Sequence, residues 1–539
     1  MPAYTVLFDS AQPFQVGTPY LFGAAIVLAT LLWHWAQDER PYPGFPLINK
    51  QKGEWLNTKS KERMTTHANE ILKDGFTKYN GKPFQVFSDV GPMIVLSPEM
   101  AQEIRNDDRL SFMLAVERVF LPMFKGLEPF GAGISEHDVF VRSIRQNLTQ
   151  SLGSITESLS EETSYILNLL LPDVTANEWR SVTWVPVAAK IAARLSAKVF
   201  LGEPLCRNEE WLTLSITYTA DGFQAARTLR RWPPFLRRLV HAVSPEFGQL
   251  QRKIVDARRI IEPEVAQRKR ARRDELRAGG KPHKPADAIE WMDEHAKDEP
   301  YDITLAQMAL AFAAIHTTSG MITSLLWELT ANPAFIDDLR KEIVDVIAED
   351  GGWKKTSLYK MRLLDSCMKE AQRMHVIGAF SMTRRVTAPV TLSDGTHLAA
   401  GTHVAIPTWH MKDPDFYGPD AARFDGRRFL DRREQPGSEH RWQFVTTSPE
   451  HLGFGHGEQF SLSLSLSLSL SLSPSPRQHA CPGRFFASNE IKIAMAHLLL
   501  KYDWKFEGEP PLKSLRDSEW MPDPEAKIWV RKREPEIEL

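Results

Sequence analysis

The polar and apolar positions change period several times along the chain, and each change marks an element. Tyr20 to Ala36 (Tyr-Leu-Phe-Gly-Ala-Ala-Ile-Val-Leu-Ala-Thr-Leu-Leu-Trp-His-Trp-Ala) carries no charged residue. It is long enough to cross a bilayer, which takes roughly 17–25 residues, and Trp33 and Trp35 suit the interface. Pro41, Pro43, Gly44 and Pro46 then read as a stiff linker. The β-prone runs from Phe84 to Phe87 and from Met93 to Leu96, separated by Gly91-Pro92, read as a hairpin. Ser97-Pro98-Glu99 is placed to cap a helix. Arg109 to Gly133 is apolar and glycine-bearing with weak periodicity. Helical patterns follow through Leu201 and again from Glu209 to Arg231. Trp232-Pro-Pro-Phe-Leu reads either as a loop dipping into a membrane face or as a turn between helices. Gly279-Gly-Lys-Pro-His-Lys-Pro reads as a linker.

Thr304 to Thr330 is a long apolar helical pattern interrupted by Ala313-Ala-Ile-His-Thr-Thr-Ser-Gly320, where hydroxyls can bond back to the preceding turn and bend the helix. Ser381 to Leu392 and the Ser393-Asp-Gly395 turn predict strands and a hairpin. No internal repeat interrupts this order. The expected fold is mainly α with small β-sheets (α+β), in one body behind one N-terminal transmembrane helix.

Charge narrows the picture. Lys+Arg 66 against Asp+Glu 68 gives a formal net charge of -2, so no global basic field points to nucleic acid. The local cluster Arg268 to Arg273 reads as an exposed helix end before a loop. No Lys or Arg precedes Arg40, whereas Arg40, Lys50, Lys52, Lys59 and Lys61 follow it. That asymmetry argues against a cleaved signal peptide and puts the body on the cytosolic side of the membrane. The expected organisation is a lumenal tail (1–19), an anchor (20–36), a proline-rich hinge (37–52) and one folded body (53–539). Asn147-Leu-Thr149 fits a glycosylation sequon, but on the cytosolic side it would not meet the machinery. The three cysteines, Cys206, Cys367 and Cys481, form no disulfide framework, and two of them are expected in the core.

Cys481 is different. Pro482 fixes its own backbone angle, Gly483 permits a close turn, and an apolar helical pattern starts at Arg484. A thiolate ahead of a helix N-terminus is stabilised by free amides and is a good soft ligand for iron. Upstream, His451-Leu-Gly-Phe-Gly-His-Gly457 supplies backbone able to lie flat against a ring. Joined with His479-Ala-Cys-Pro-Gly483, it resembles the Phe-Gly-x-Gly-x-His-x-Cys-Pro-Gly haem loop of the cytochrome P-450 family, the haem-thiolate monooxygenases. The loop is broken here by Glu458 to Arg477.

The resemblance implies a cytochrome P-450 fold, haem b as cofactor and Cys481 as the metal ligand, with Phe454, Gly455, Gly457, His479 and Gly483 around the ring. It makes Thr317 the hydroxyl that helps deliver protons, with Thr318 beside it and His316 where the family usually has an acid. Arg384 falls where a haem propionate is often bound, with Arg385 as the alternative. Arg145 is a second candidate, although Val141 stands where the family carries a partnering tryptophan. Glu370 and Arg373, three apart on one helix face, would form a structural triad with Arg428 of Phe424-Asp-Gly-Arg-Arg-Phe429, where Gly426 replaces a proline and is expected to loosen the turn. Ala313, Val376 to Phe380, and Met521 to Pro524 would line the substrate cavity, with 109–133 as the variable segment above the haem.

Ala314-Ile-His-Thr-Thr-Ser, Pro407-Thr-Trp-His-Met-Lys-Asp-Pro-Asp and Cys481-Pro-Gly-Arg-Phe-Phe-Ala-Ser-Asn-Glu are similar to the fungal group that includes ent-kaurene oxidase-like enzymes and terpenoid hydroxylases. The implied activity is insertion of one oxygen atom from O2 into an apolar secondary metabolite, terpenoid or polycyclic. No Gly-x-Gly-x-x-Gly follows a strand, so electrons are expected from NADPH through a separate, membrane-bound cytochrome P-450 reductase, with cytochrome b5 as a second donor. Location is expected at the endoplasmic reticulum membrane, single-pass. The rival class is a haem-deficient, inactive family member or a binding module, and only the 458–477 segment supports it. There Ser and Leu alternate from Ser461 to Leu472. Every residue from Phe460 to Pro476 can be encoded by pyrimidines alone, which points to retained intron sequence. Without the segment the chain reads Phe454-Gly-His-Gly-Gln-His-Ala-Cys-Pro-Gly, an uninterrupted family loop.

Overall fold

The computed structural model describes residues 18–38, 40–54, 57–133, 139–232, 234–297, 299–457, 480–511, 513–516 and 519–539. Helices dominate, and the described residues form four sheets. The apolar pattern from Thr304 produces one helix, Ile303–Ala331, opened by Asp302, whose side chain accepts from the Leu305 amide. It runs without interruption, with the expected back-bonding present at Thr317. The hydroxyls of its middle turn are absorbed by back-bonds to carbonyls one turn earlier, which leaves the helical ladder intact. This central helix packs against Trp184–Phe200 and Arg484–Lys501. Leu310, Ile322 and Leu325 meet Ile191, Leu195, Ile493 and Leu498 in the largest core cluster. Although long and apolar enough to cross a membrane, the central helix is therefore a core helix.

The predicted hairpin forms as Phe84–Ser88 against Gly91–Val95. It joins a five-stranded sheet in the order Phe84–Ser88, Gly91–Val95, His403–Pro407, Phe380–Val386, Leu110–Ser111. A second sheet orders Arg180–Thr183, Lys527–Lys532 and Tyr502–Lys505. Ser97 occupies a cap position, but its side chain makes no cap bond; the segment begins as a 3-10 turn, Pro98–Met100.

One further expectation is refined and one corrected. Arg268 to Arg273 stands, mostly exposed as expected, in the last turns of Pro245–Arg277 before a loop, but Arg268 pairs with Glu264 and Asp287 and Arg272 with Glu290 and Asp293. Glu264 lies one turn earlier on the same helix, whereas Asp287, Glu290 and Asp293 come from the following helix, Ala288–Ala296, and the turn that caps it, which a local pattern could not show. Trp232-Pro-Pro-Phe-Leu is not a loop throughout, since Pro234 opens an amphipathic helix, Pro234–Val243, with Leu239 and Val243 exposed. Proline fits there because a first-turn residue has no intrahelical N–H bond to lose. This helix packs beside Thr18–Asp38, whose Phe22, Ile26, Val27 and Leu28 are also exposed.

Candidate active site

One side of the site is built on the helix Arg362–Met374. Glu370 and Arg373 are both 0% exposed, so this is not the solvated surface pair that the i,i+3 spacing alone would give. Arg373 donates from Nε and Nη2 to the two Glu370 carboxylate oxygens, each at 2.8 Å. Its Nη1 donates to the carbonyls of Met411 and Ala421, each at 2.7 Å. Arg428 Nε reaches Glu370 Oε1 at 3.0 Å, and the Asp425 amide donates to the same oxygen at 3.2 Å. The expected triad is thus assembled, and its buried charges are matched by donors and acceptors, the condition under which such a group is tolerated. The turn at Gly426 is not loose. A Cβ there would lie 2.7 Å from Cys367 Sγ and 3.0 Å from Phe335, so glycine is required because a thiol and a ring fill the space.

The loop lies against this scaffold. Gly455, at φ +72°, bridges to Ala480, and the Cys481 amide donates to the Phe454 carbonyl at 3.0 Å. The two halves of the motif therefore meet although Glu458 to Arg477 separate them in sequence. Gly453 is pressed on Gln372, whose side chain would lie 2.2 Å from an added Cβ. Gly457 is half-buried, and Gly483 sits at the cap of Arg484–Lys501. His479 and the 458–477 segment lie outside the described residues. Cys206 and Cys367 are buried, as expected, whereas Cys481 is exposed. Its thiol is nevertheless pushed up by lost hydration, with the amides of Gly483 and Arg484 and the Arg484 guanidinium pulling the other way. Helix-end stabilisation operates but loses to desolvation; a coordinated cation would reverse that balance.

Sequence reasoning missed three supports. Lys369, fully buried, donates to the carbonyls of Gln443 at 2.9 Å and Thr446 at 2.8 Å. Arg484 clamps the loop through Val445 O at 3.0 Å and Cys481 O at 2.7 Å. His456 joins Gln102 at 2.8 Å. Adjacency to Glu370 and Cys481 was the signal available for the first two.

The other side of the site is the exposed face of the central helix, where Ala313 and Thr317 lie one turn apart. Thr317 Oγ1 donates to the Ala313 carbonyl at 2.8 Å, with the Ala314 carbonyl at 3.2 Å. Thr318 is 2% exposed and turns into the core. His316 Nε2 lies 3.2 Å from the Ile216 carbonyl, and burial holds its pKa below the ordinary value. Val376 and Phe380 are half-buried, and Gly378 between them bridges to Glu519, which brings the 376–380 segment to the last hairpin and exposed Met521. Arg145 is half-buried on a π-helical turn, Ile144–Leu148. Asn147 on the same turn meets His295 at 2.8 Å. Of the two neighbouring arginines, Arg385 is exposed, while Arg384 is 1% exposed. Arg384 bonds only from Nη1, to Thr383 O at 2.9 Å; its Nε and Nη2 have no hydrogen-bond partner among the described residues. Burial alone lowers its pKa to about 10.

These features fit haem. An exposed thiol on a glycine loop offers the axial ligand. A buried guanidinium with two orphaned donors needs an anion of the kind a propionate supplies.

The comparisons agree with that chemistry. Residues 50–460 match the cytochrome P-450 family. The cytochrome P-450 monooxygenase hepE of Aspergillus oryzae is 39% identical over 489 residues, 90% of this chain and 83% of that one. The cytochrome P-450 monooxygenase pyr3 of Aspergillus fumigatus is 37% identical over 540 residues, 99% of this chain and 98% of that one. The retinoic acid-bound structure of cyanobacterial CYP120A1 superposes with a TM-score of 0.62 at 17% identity, covering 92% of this chain and 99% of that one, and so supports the fold. The chain belongs to the cytochrome P-450 family. It is a monooxygenase, an oxidoreductase, and its family implies thiolate-ligated haem iron, a small-molecule substrate and a redox partner.

Proposed function

We propose that Cys481 is the axial ligand of haem b, that Arg384 binds a propionate with Arg145 as a second candidate, and that the substrate is an apolar terpenoid or polycyclic secondary metabolite. The observation that carries this reading is the meeting of Cys481 with the Phe454–Gly455 turn above the Glu370 triad. Haem held by a thiolate supplies activation of O2, with one oxygen atom entering the substrate and two electrons reducing the other to water. The protein's own groups do the rest. Arg484 and the Phe454 carbonyl fix the sulfur. Thr317 Oγ1 holds a proton toward the Ala313 carbonyl and keeps its lone pairs on the exposed face of the central helix. The aromatic cluster of Phe120, Phe130, Phe223 and Phe312, with Phe130 and Phe312 centroids 4.6 Å apart, excludes water and suits an apolar ligand. Electrons come from NADPH through a separate reductase, with cytochrome b5 as a second donor. The apolar helix at Leu21–Trp33 anchors the body to the cytosolic face of the endoplasmic reticulum.

A second reading, a haem-deficient member, rests on one observation: the family match ends at residue 460, where the Ser-Leu segment begins. One experiment separates the two. The reduced full chain with carbon monoxide is expected to give the strongly red-shifted Soret band of thiolate ligation, lost in Cys481→Ala. Deleting Glu458 to Arg477 is expected to raise haem content per protein, because the segment leaves and rejoins the chain where backbone must lie against the ring. An unshifted band in both the full chain and the deletion would remove the monooxygenase reading. Equal haem occupancy in the two would show that the insert is tolerated.

A further inference from the structure

His316 stands where the family resemblance calls for an acid, yet its geometry points elsewhere. Successive residues of an α-helix are turned by about 100°, so His316 cannot share the face of Thr317. It shares a face instead with Phe312, one turn earlier, and that face meets the helix Glu209–Arg230. There Nε2 lies 3.2 Å from the carbonyl of Ile216. A carbonyl only accepts, so Nε2 carries the proton and the imidazole donates. Ile216 lies well inside its helix, where a carbonyl bonded within the ladder keeps a second lone pair for this contact. One turn along, Phe312 meets Phe223 of the same helix with centroids 5.3 Å apart. Phe120 packs on both rings, at 5.2 Å and 5.3 Å. The aromatic contacts set the approach of the rings in edge-to-face and tilted geometries; the histidine bond adds a directional polar contact to a single carbonyl.

We propose that His316 is a positioning residue, a latch that docks the Glu209–Arg230 helix, the distal wall, on the central helix in the turn that carries Thr317, and so fixes the register between that wall and the reacting side. The claim rests on the reading above only in calling that wall distal. The residue then serves position, and its failure to replace an acid needs no compensating relay through the imidazole.

Hydrogen exchange on the full chain tests the latch without turnover. His316→Leu removes the donor at similar size and is expected to speed exchange of amides between 213 and 223 by about two- to tenfold, the size of one modest hydrogen bond. Amides of Arg362–Met374 should be unchanged. His316→Gln, whose side-chain amide can donate to the same carbonyl, is expected to restore most of the protection. Unchanged exchange in His316→Leu, or an equal rise in both variants, overturns the proposal. The carbon monoxide spectrum is read on the same samples. Loss of its thiolate band would defeat the haem reading while leaving the exchange result to decide the latch.

Discussion

The scaffold behind Cys481 and the interior around the central helix solve opposite problems. Behind Cys481 most buried charges are paired, with Arg433 Nε and Gln372 Oε1 left without a hydrogen-bond partner among the described residues. Glu370 accepts from Arg373, Arg428 and the Asp425 amide, Asp365 accepts from Lys492, Arg433 and the Phe444 amide, and Lys369 holds two carbonyls. Around the central helix, polar groups are buried without partners among the described residues: both ends of Gln307 and the Oε2 of Glu490. The first region buries charge to fix the position of one sulfur. The second leaves polar atoms unsatisfied in an apolar body, and its shape is set by rings and aliphatic side chains. A densely paired network fixes position through directional bonds, whereas the apolar wall takes its shape from the volumes of the side chains that fill it.

The largest expected effect comes from breaking the densely paired side. Glu370→Ala leaves the guanidinium groups of Arg373 and Arg428 without their shared carboxylate, and removing one partner of a buried network costs about 3–5 kcal/mol. That is a large share of the total stability of a typical domain. The expected outcome is little soluble protein and no retained haem, read by expression yield and haem content. Glu370→Gln keeps one acceptor and should be milder. A stable, haem-loaded Glu370→Ala would mean that the triad does not hold the loop.

The next substitution asks whether the unsatisfied side is destabilised by its polar atoms. Glu490 is 0% exposed. Its Oε1 accepts from Ser196 at 3.0 Å, and burial pushes its pKa up to about 8 against that single bond. Because the folded value lies above the unfolded one near 4.5, the native state favours the protonated acid. The penalty is absent below about pH 4.5, grows as pH rises toward 8, and is constant above it. Glu490→Gln removes the titration and keeps an acceptor for Ser196. It should therefore stabilise the protein near neutral pH, by up to about 3 kcal/mol, with a gain that shrinks toward pH 5. Thermal unfolding of both proteins across that range is the measurement. A constant difference across pH would show that Glu490 does not titrate in the window.

How much could be read in advance follows the same division. The Cys-Pro-Gly turn and the apolar run from Thr304 were legible because each is a local pattern whose chemistry depends on near neighbours, whereas the Glu370 and Arg373 spacing alone gives a surface pair and its buried role came from the family resemblance. The role of Gly426 was not legible, since the space it leaves is filled by Cys367 and Phe335 from other helices. The ion pairs of Arg268 with Asp287 and of Arg272 with Glu290 were missed because those acids come from outside their helix. His316 was read as a replacement for an acid because sequence shows adjacency to Thr317 but not direction; its partner lies on another helix. Arg384 could be separated from Arg385 only by knowing which face of the strand is covered. What escapes a single sequence here is contact between elements distant along the chain.

Thr317→Ala is the smallest expected change in stability, and it separates the two regions most cleanly. The Thr317 hydroxyl is exposed and bonds only to carbonyls of its own helix, so removing it strands no partner in the core. Alanine is also the better helix former, by at most about 0.7 kcal/mol. Unfolding should therefore shift by less than about 0.5 kcal/mol, the range of a surface substitution. Function should respond differently. If Thr317 Oγ1 delivers protons at the reacting side, the variant will consume NADPH through the reductase at a near-normal rate but convert less of it to product, with the balance appearing as reduced oxygen species. The ratio of product formed to NADPH consumed is the readout, and Thr317→Ser, which keeps the hydroxyl, should recover most of it. An unchanged ratio in Thr317→Ala would make Thr317 a packing residue. A loss that serine does not recover would assign the effect to the methyl group, and so to the shape of the apolar wall rather than to proton delivery.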